Sequence, residues 1–178
     1  MRPISRPISQ PISELLLIDE EPGKYRFYKW QQLHIVVWVG AAAGKTAQRL
    51  GRVTPKPLPG TRRSDIHIVT AGTALPSAEA RSVFVELMRE MQGDLACLAV
   101  VIEGGGFWAS AMRSAVIGLG MMAPKVLPFR ALGSLDDLTA WLPAEHKRLT
   151  GVTIDSVGLR RALTEARIGT IGTQAHAG

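Results

Sequence analysis

The chain has a single cysteine, Cys97, among its 178 residues. An internal disulfide is therefore excluded, and a reducing, cytoplasmic setting is expected. Long apolar runs are also missing. Leu95–Ile102 is eight residues without a polar side chain, and no such stretch exceeds ten, whereas a membrane-spanning helix needs about 18 or more. The N-terminal segment lacks the unbroken apolar core of a signal peptide, because Pro3, Pro7 and Pro11 interrupt it. Acidic residues are absent from Pro22 to Ser64, a stretch that carries Lys24, Arg26, Lys29, Lys45, Arg49, Arg52, Lys56, Arg62 and Arg63. Charge of one sign can draw phosphates, but it informs association rather than fold. The stretch is read as a solvated basic face and loop, and nucleic acid is not an expected partner. The four histidines, His34, His67, His146 and His176, have no metal-ligand spacing, and no metal or cofactor is expected.

What is present is a pattern of short apolar segments separated by turns. The chain opens on a tandem repeat, Arg2-Pro-Ile-Ser5, Arg6-Pro-Ile-Ser9, Gln10-Pro-Ile-Ser13. A proline every fourth residue excludes a regular helix, so residues 1–22 are expected to be a disordered arm. Lys24 to Trp30 and Leu33 to Val39 are rich in aromatic and β-branched residues and predict two antiparallel strands. A modest helix over 40–50 and a Pro/Gly-rich loop over 51–64 follow. Asp65 to Gly72 predicts a strand. Ser77 to Gln92 predicts a helix with Ser77 as its N-cap and Glu79 in its first turn.

Leu95–Ile102 predicts a strand buried on both faces of a parallel sheet. The glycines Gly104, Gly105 and Gly106 close it, and a helix to about Met122 comes next. A short edge strand over 125–132 holds Pro128. Ser134-Leu-Asp-Asp137 is a capping signal for a further helix, which Pro143 is expected to interrupt. Residues 151–178 form an expected extension, with a weak helix over 156–167 and a disordered end. The ordered domain is placed at 23–150.

This order of elements, with Val116-Ile-Gly-Leu-Gly120, Val126 to Phe129 and Ser134-Leu-Asp-Asp-Leu-Thr-Ala-Trp-Leu142, resembles a STAS-type domain. That is the fold of bacterial anti-sigma-factor antagonists, including the sporulation-antagonist-like branch. The resemblance implies a mixed, mostly parallel sheet of about five strands with helices packed on it. It also implies a non-enzymatic regulatory or scaffold role exerted on a protein partner of kinase or anti-sigma type. In that family a Ser or Thr at the second strand-to-helix turn is phosphorylated. Here the turn is Leu75-Pro-Ser-Ala-Glu79, which carries the role onto Ser77 without the family's preceding acid or following glycine.

Two further readings rest on the residues themselves. Glu103-Gly-Gly-Gly106 ends a central strand and opens a helix, a place where ligands and anions bind in open α/β sheets. With the basic loop it suggests a small-molecule, nucleotide or lipid sensor; a tight turn is the plainer account. Gly40-Ala-Ala-Ala-Gly-Lys-Thr46 is similar to a phosphate-binding loop, with Lys45 as the anion contact. It has three residues between its glycines where the motif needs four. Homo-oligomerisation through an exposed edge strand is a further expectation.

Overall fold

The computed structural model describes residues 14–174. The RPIS repeats and residues 175–178 lie outside the described residues. Six strands form one sheet in sequence order: β1 (Leu16–Glu21), β2 (Tyr25–Trp30), β3 (Leu33–Trp38), β4 (Arg63–Val69), β5 (Leu95–Ile102) and β6 (Phe129–Leu132). The first three pair antiparallel, and β3 to β6 run parallel. The helices are α1 (Gly44–Val53), α2 (Ala78–Glu90), α3 (Gly106–Met122), α4 (Leu135–Thr150) and α5 (Ser156–Gln174). The mixed, mostly parallel α/β class expected from the sequence is the one observed, with one strand more.

Right-handed crossovers that step one strand at a time in one direction place their helices on one face. Helices α1, α2 and α3 accordingly share a face, where Ala47, Leu50, Ala80, Met112 and Val116 pack on Val36, Trp38, Val69, Val100 and Ile102. The opposite face is covered by α4 and α5, through Leu138, Leu142, Leu159, Leu163 and Ala166 against Leu33, Ile35, Ile66, Ile68, Cys97 and Val101. All eight residues of β5 are buried. Burial on both faces is why its sequence shows no alternation.

Three expectations are corrected. The arm assigned to 1–22 is strand from Leu16 to Glu21. Its acids Asp19 and Glu20 meet Arg49 and Arg26, a pairing that local propensity does not reveal. The extension assigned to 151–178 belongs to the domain. Helix α5 continues to Gln174, and Ile154, Leu159, Ala162, Leu163 and Ala166 lie in the core. Tyr28 hydroxyl and Thr170 Oγ1 are 3.2 Å apart, and Arg26 donates to the Gly169 carbonyl at 3.0 Å. Pro143 sits inside α4 without ending it. Proline removes one helical N–H and crowds a carbonyl. The helix continues because Leu138 and Leu142 before that point and His146 after it are all buried. It stops at Gly151, with φ of 77° and its N–H on the Lys147 carbonyl at 2.8 Å.

Candidate ligand cavity

Parallel β/α topology gathers the strand-to-helix turns at the carboxyl ends of β3, β4 and β5. All of the site residues proposed from sequence lie there. The Ser77 N–H bonds the Ala42 carbonyl at 3.1 Å, and Trp108 Nε1 donates to the Thr73 carbonyl at 2.8 Å.

Lys45 is exposed on the first turn of α1. That turn is covered by acids of the protein itself. A Cβ built on Gly44 would lie 2.1 Å from Glu79 Cδ, so the Glu79 side chain lies across it. Thr46 Oγ1 donates to Glu21 Oε1 at 3.2 Å. Two carboxylates already answer the positive end of the helix dipole, and a phosphate here would meet like charge.

Glu103 is taken up by α5: Arg167 Nε donates to its two oxygens at 2.6 and 2.9 Å. Gly104 and Gly106 have φ of 96° and 73°, a conformation that favours glycine. A Cβ on Gly104 would also touch Ala71 Cβ at 3.0 Å. The glycines are thus accounted for by the turn. The strand order never reverses direction, so this turn is not at a topological switch point.

Ser77 is exposed and caps α2, its hydroxyl oxygen accepting from the Ala80 N–H at 3.0 Å. Four of the nine basic residues of the stretch from Pro22 to Ser64 are engaged by the protein itself. Arg26 meets Glu20, Arg49 meets Asp19, Arg63 meets Asp65 and Arg62 donates to the Leu95 carbonyl.

A cleft of about 530 Å³ lies against Glu103 and Gly104, lined also by Val39, Thr70, Ser134 and Arg167. A smaller and more apolar concavity lies between the sheet and α1–α3. It is a cavity of about 120 Å³. The strand period of two brings His34, Val36 and Trp38 of β3 to this face, and Asp65, His67 and Val69 of β4 beside them. Helix α2 supplies Phe84, Leu87 and Met88, and Met91 follows at its C-cap; α3 supplies Met112 and Val116. The lining is apolar except for a few groups, chiefly His34, Asp65 and His67.

Those three groups carry the electrostatics of the cavity. His34 is 4% exposed and Asp65 7%. Arg63, 3% exposed, donates through Nε to Asp65 Oδ1 at 2.9 Å. A guanidinium does not give up its proton in a protein, and a buried one left alone is costly. Arg63 therefore keeps Asp65 a carboxylate at neutral pH, although burial pushes that carboxyl upward. Burial, with the positive Arg63 and Lys29 nearby, pulls His34 down to about 3. Burial alone pulls His67 down to about 4. Both imidazoles are neutral at pH 7.

Their tautomers follow from their neighbours. Trp38 Nε1 donates to His67 Nδ1 at 3.1 Å, so the His67 proton is on Nε2. His34 Nδ1 lies 3.5 Å from Asp65 Oδ1, a placement that favours a proton on Nδ1 facing a carboxylate. The separation is too long for a good hydrogen bond, and His34 Nδ1 is buried without a hydrogen-bond partner.

A second buried polar cluster lies on the α4 side of the sheet. Ser64 Oγ is 2.8 Å from His146 Nδ1 and accepts from Cys97 Sγ at 3.2 Å. All three residues are fully buried. Burial raises the Cys97 thiol to about 11, which leaves it protonated and unreactive at neutral pH. A nucleophile there would have no route to substrate. Among the described residues no group of three or more His, Cys, Asp and Glu is placed to hold a metal ion. No helix among them is long and apolar enough to cross a membrane.

Glu103 and Gly104 of the expected ligand turn border the cleft at the carboxyl ends of the strands, and the half-open apolar cavity lies on the face below. The signal for it was present. His34 is a polar residue in the otherwise apolar β3, and Asp65 and His67 alternate with Ile66 and Ile68 in β4.

No family model matches the chain, and neither does any curated protein. Among solved structures, the chain is similar to an uncharacterized protein from the DUF3478 family with a SpoIIAA-like fold, from Shewanella loihica PV-4. The identity is 14%, the match covers 66% of this chain and 91% of that one, and the TM-score is 0.47.

Proposed function

We propose that this protein is a non-enzymatic binding module whose cavity between the sheet and α1–α3 takes a small, mainly apolar ligand. One observation carries the reading. A buried histidine with an unpartnered Nδ1 lines a half-open apolar cavity. An unmade hydrogen bond at a buried group costs about 1–3 kcal/mol, and a ligand atom would recover it. Apolar cavities with a few convergent polar groups are the usual form of a small-molecule site.

The output of such a module is a protein partner. Helix α2 forms one wall of the cavity and carries the exposed Ser77 at its N-terminus. Occupancy that shifts α2 would move the Ser77 turn. A phosphate there would add about −1.5 to −2 charge at a helix N-terminus, where it is tolerated. This keeps the regulatory role that the STAS resemblance implies and gives it an input.

The test is native mass spectrometry of the protein purified from its own host, beside a Val100→Leu variant that fills part of the cavity. The expected result is a released small molecule from the natural protein and less of it from the variant. A natural protein that carries nothing, together with a variant less stable than the parent, overturns the reading.

A further inference from the structure

The cavity has the size of a single ring. At about 120 Å³ it is slightly smaller than an engineered cavity of about 150 Å³ that admits benzene. Its walls present aromatic faces and edges from Phe27, Trp38, Phe84 and Phe129. Met88 and Met112 add thioethers, which pack well on ring edges.

The polar groups narrow the chemistry further. The His67 Nδ1 is engaged by Trp38, so that ring offers an N–H donor at Nε2. His34 Nδ1, facing the Asp65 carboxylate at 3.5 Å, offers a second donor without a partner. His34 is opposite Asp65 and Val36 opposite His67 in the register, so the two imidazoles are diagonal neighbours on one face. Such neighbours are about 8 Å apart at Cα, given about 4.8 Å between strands and about 3.3 Å of rise per residue, and can reach one molecule between them. Among the described residues the one carboxylate lining the cavity, Asp65, is already balanced by Arg63. A charged ligand would be buried with no counter-ion left to meet it.

Resting on the binding role above, we infer that the ligand is an uncharged single-ring aromatic molecule bearing one hydrogen-bond-accepting oxygen. The oxygen accepts a hydrogen bond from the N–H of His67 Nε2, or from that of His34 Nδ1, while the ring fills the apolar space.

Four probes test this on the full chain by NMR titration: acetophenone, ethylbenzene, benzoate and 2-hexanone. The reporter is the indole N–H of Trp38, which sits on His67 Nδ1. Acetophenone is expected to move that resonance and to bind about tenfold tighter than ethylbenzene, the gain of one hydrogen bond made to an otherwise unpaired donor. Benzoate is expected to leave it unmoved. His67→Phe with His34→Leu should reduce the acetophenone preference to about onefold while ethylbenzene still binds. If that variant does not fold, His67→Gln, which keeps a donor, should retain the preference. Ethylbenzene binding as tightly as acetophenone, or benzoate binding tightest, overturns the inference. Binding of 2-hexanone but not acetophenone also overturns it and leaves the binding role standing. No response to any of the four overturns both.

Discussion

At the residue scale, local backbone chemistry makes two checkable statements. Gln31 turns the β2–β3 hairpin with φ of 53°, the one non-glycine residue at positive φ among those described. Left-handed backbone suits glycine and burdens a side chain. Gln31→Gly is expected to stabilise the protein by about 0.5 kcal/mol, and Gln31→Val to destabilise it by about 1 kcal/mol or more. Urea unfolding midpoints check both. Ser77 and Ser134 accept from the N–H groups of Ala80 and Asp137 at 3.0 and 3.1 Å. Each serine to alanine change should cost about 1 kcal/mol in the same assay. A Ser77→Ala cost near zero would show that α2 does not depend on its cap.

At the element scale, α5 decides where the domain ends. It buries Leu159, Leu163 and Ala166 against the sheet face that holds Tyr28, Trp30 and Ile35, and Arg167 holds Glu103. A chain cut after Thr150 would expose that face. The truncated protein is expected to lose near-UV circular dichroism and to bind a hydrophobic dye, as compact states without fixed packing do. A truncated protein with native near-UV signal would return α5 to the status of an extension. The sequence of α5 understates its role. Its polar Arg160, Arg161, Thr164 and Glu165 dilute the pattern, and only the partner sheet shows which stripe is covered. Strand β1 was illegible for a similar reason. Leu16 and Leu17 are half-exposed at the sheet edge, and its value lies in Asp19 and Glu20, whose partners are distant in sequence.

At the scale of the whole molecule, the buried histidines set the response to acid. His34 and His67 are held down to about 3 and about 4, and burial lowers His146 as well. In the unfolded chain each protonates near 6.5. Between the folded and unfolded values the unfolded chain binds more protons, so stability is full above about pH 6.5 and falls as the pH drops. Each histidine contributes up to about 1.4 kcal/mol per pH unit through that window. Asp65 opposes the fall at its acid end, because burial raises its folded value. Urea unfolding from pH 7 to 4.5 should show this decline, and His67→Gln should remove about one histidine's share of the slope. A His67→Gln slope equal to that of the parent would mean that His67 is already charged in the folded protein.

The amino-acid sequence by itself determined the inner strands, the starts of α2 and α4 and the class of the fold. Those features follow from side-chain periodicity and capping, which act within a few residues: eight apolar residues in β5, the hairpin pair β2 and β3, and the caps Ser77 and Ser134. Tertiary structure alone decided which turns are free. Glu103 looked available until Arg167 met it across 64 positions, and the helix start at Lys45 until Glu79 and Glu21 covered it. It also decided that His34, Asp65 and His67 share one cavity. Strand parity put each on a face, but register between β3 and β4 made them neighbours. Three helices that pack without filling the space above them left that cavity open. Charge neutralisation and cavity shape depend on contacts between distant segments, and no local pattern encodes them.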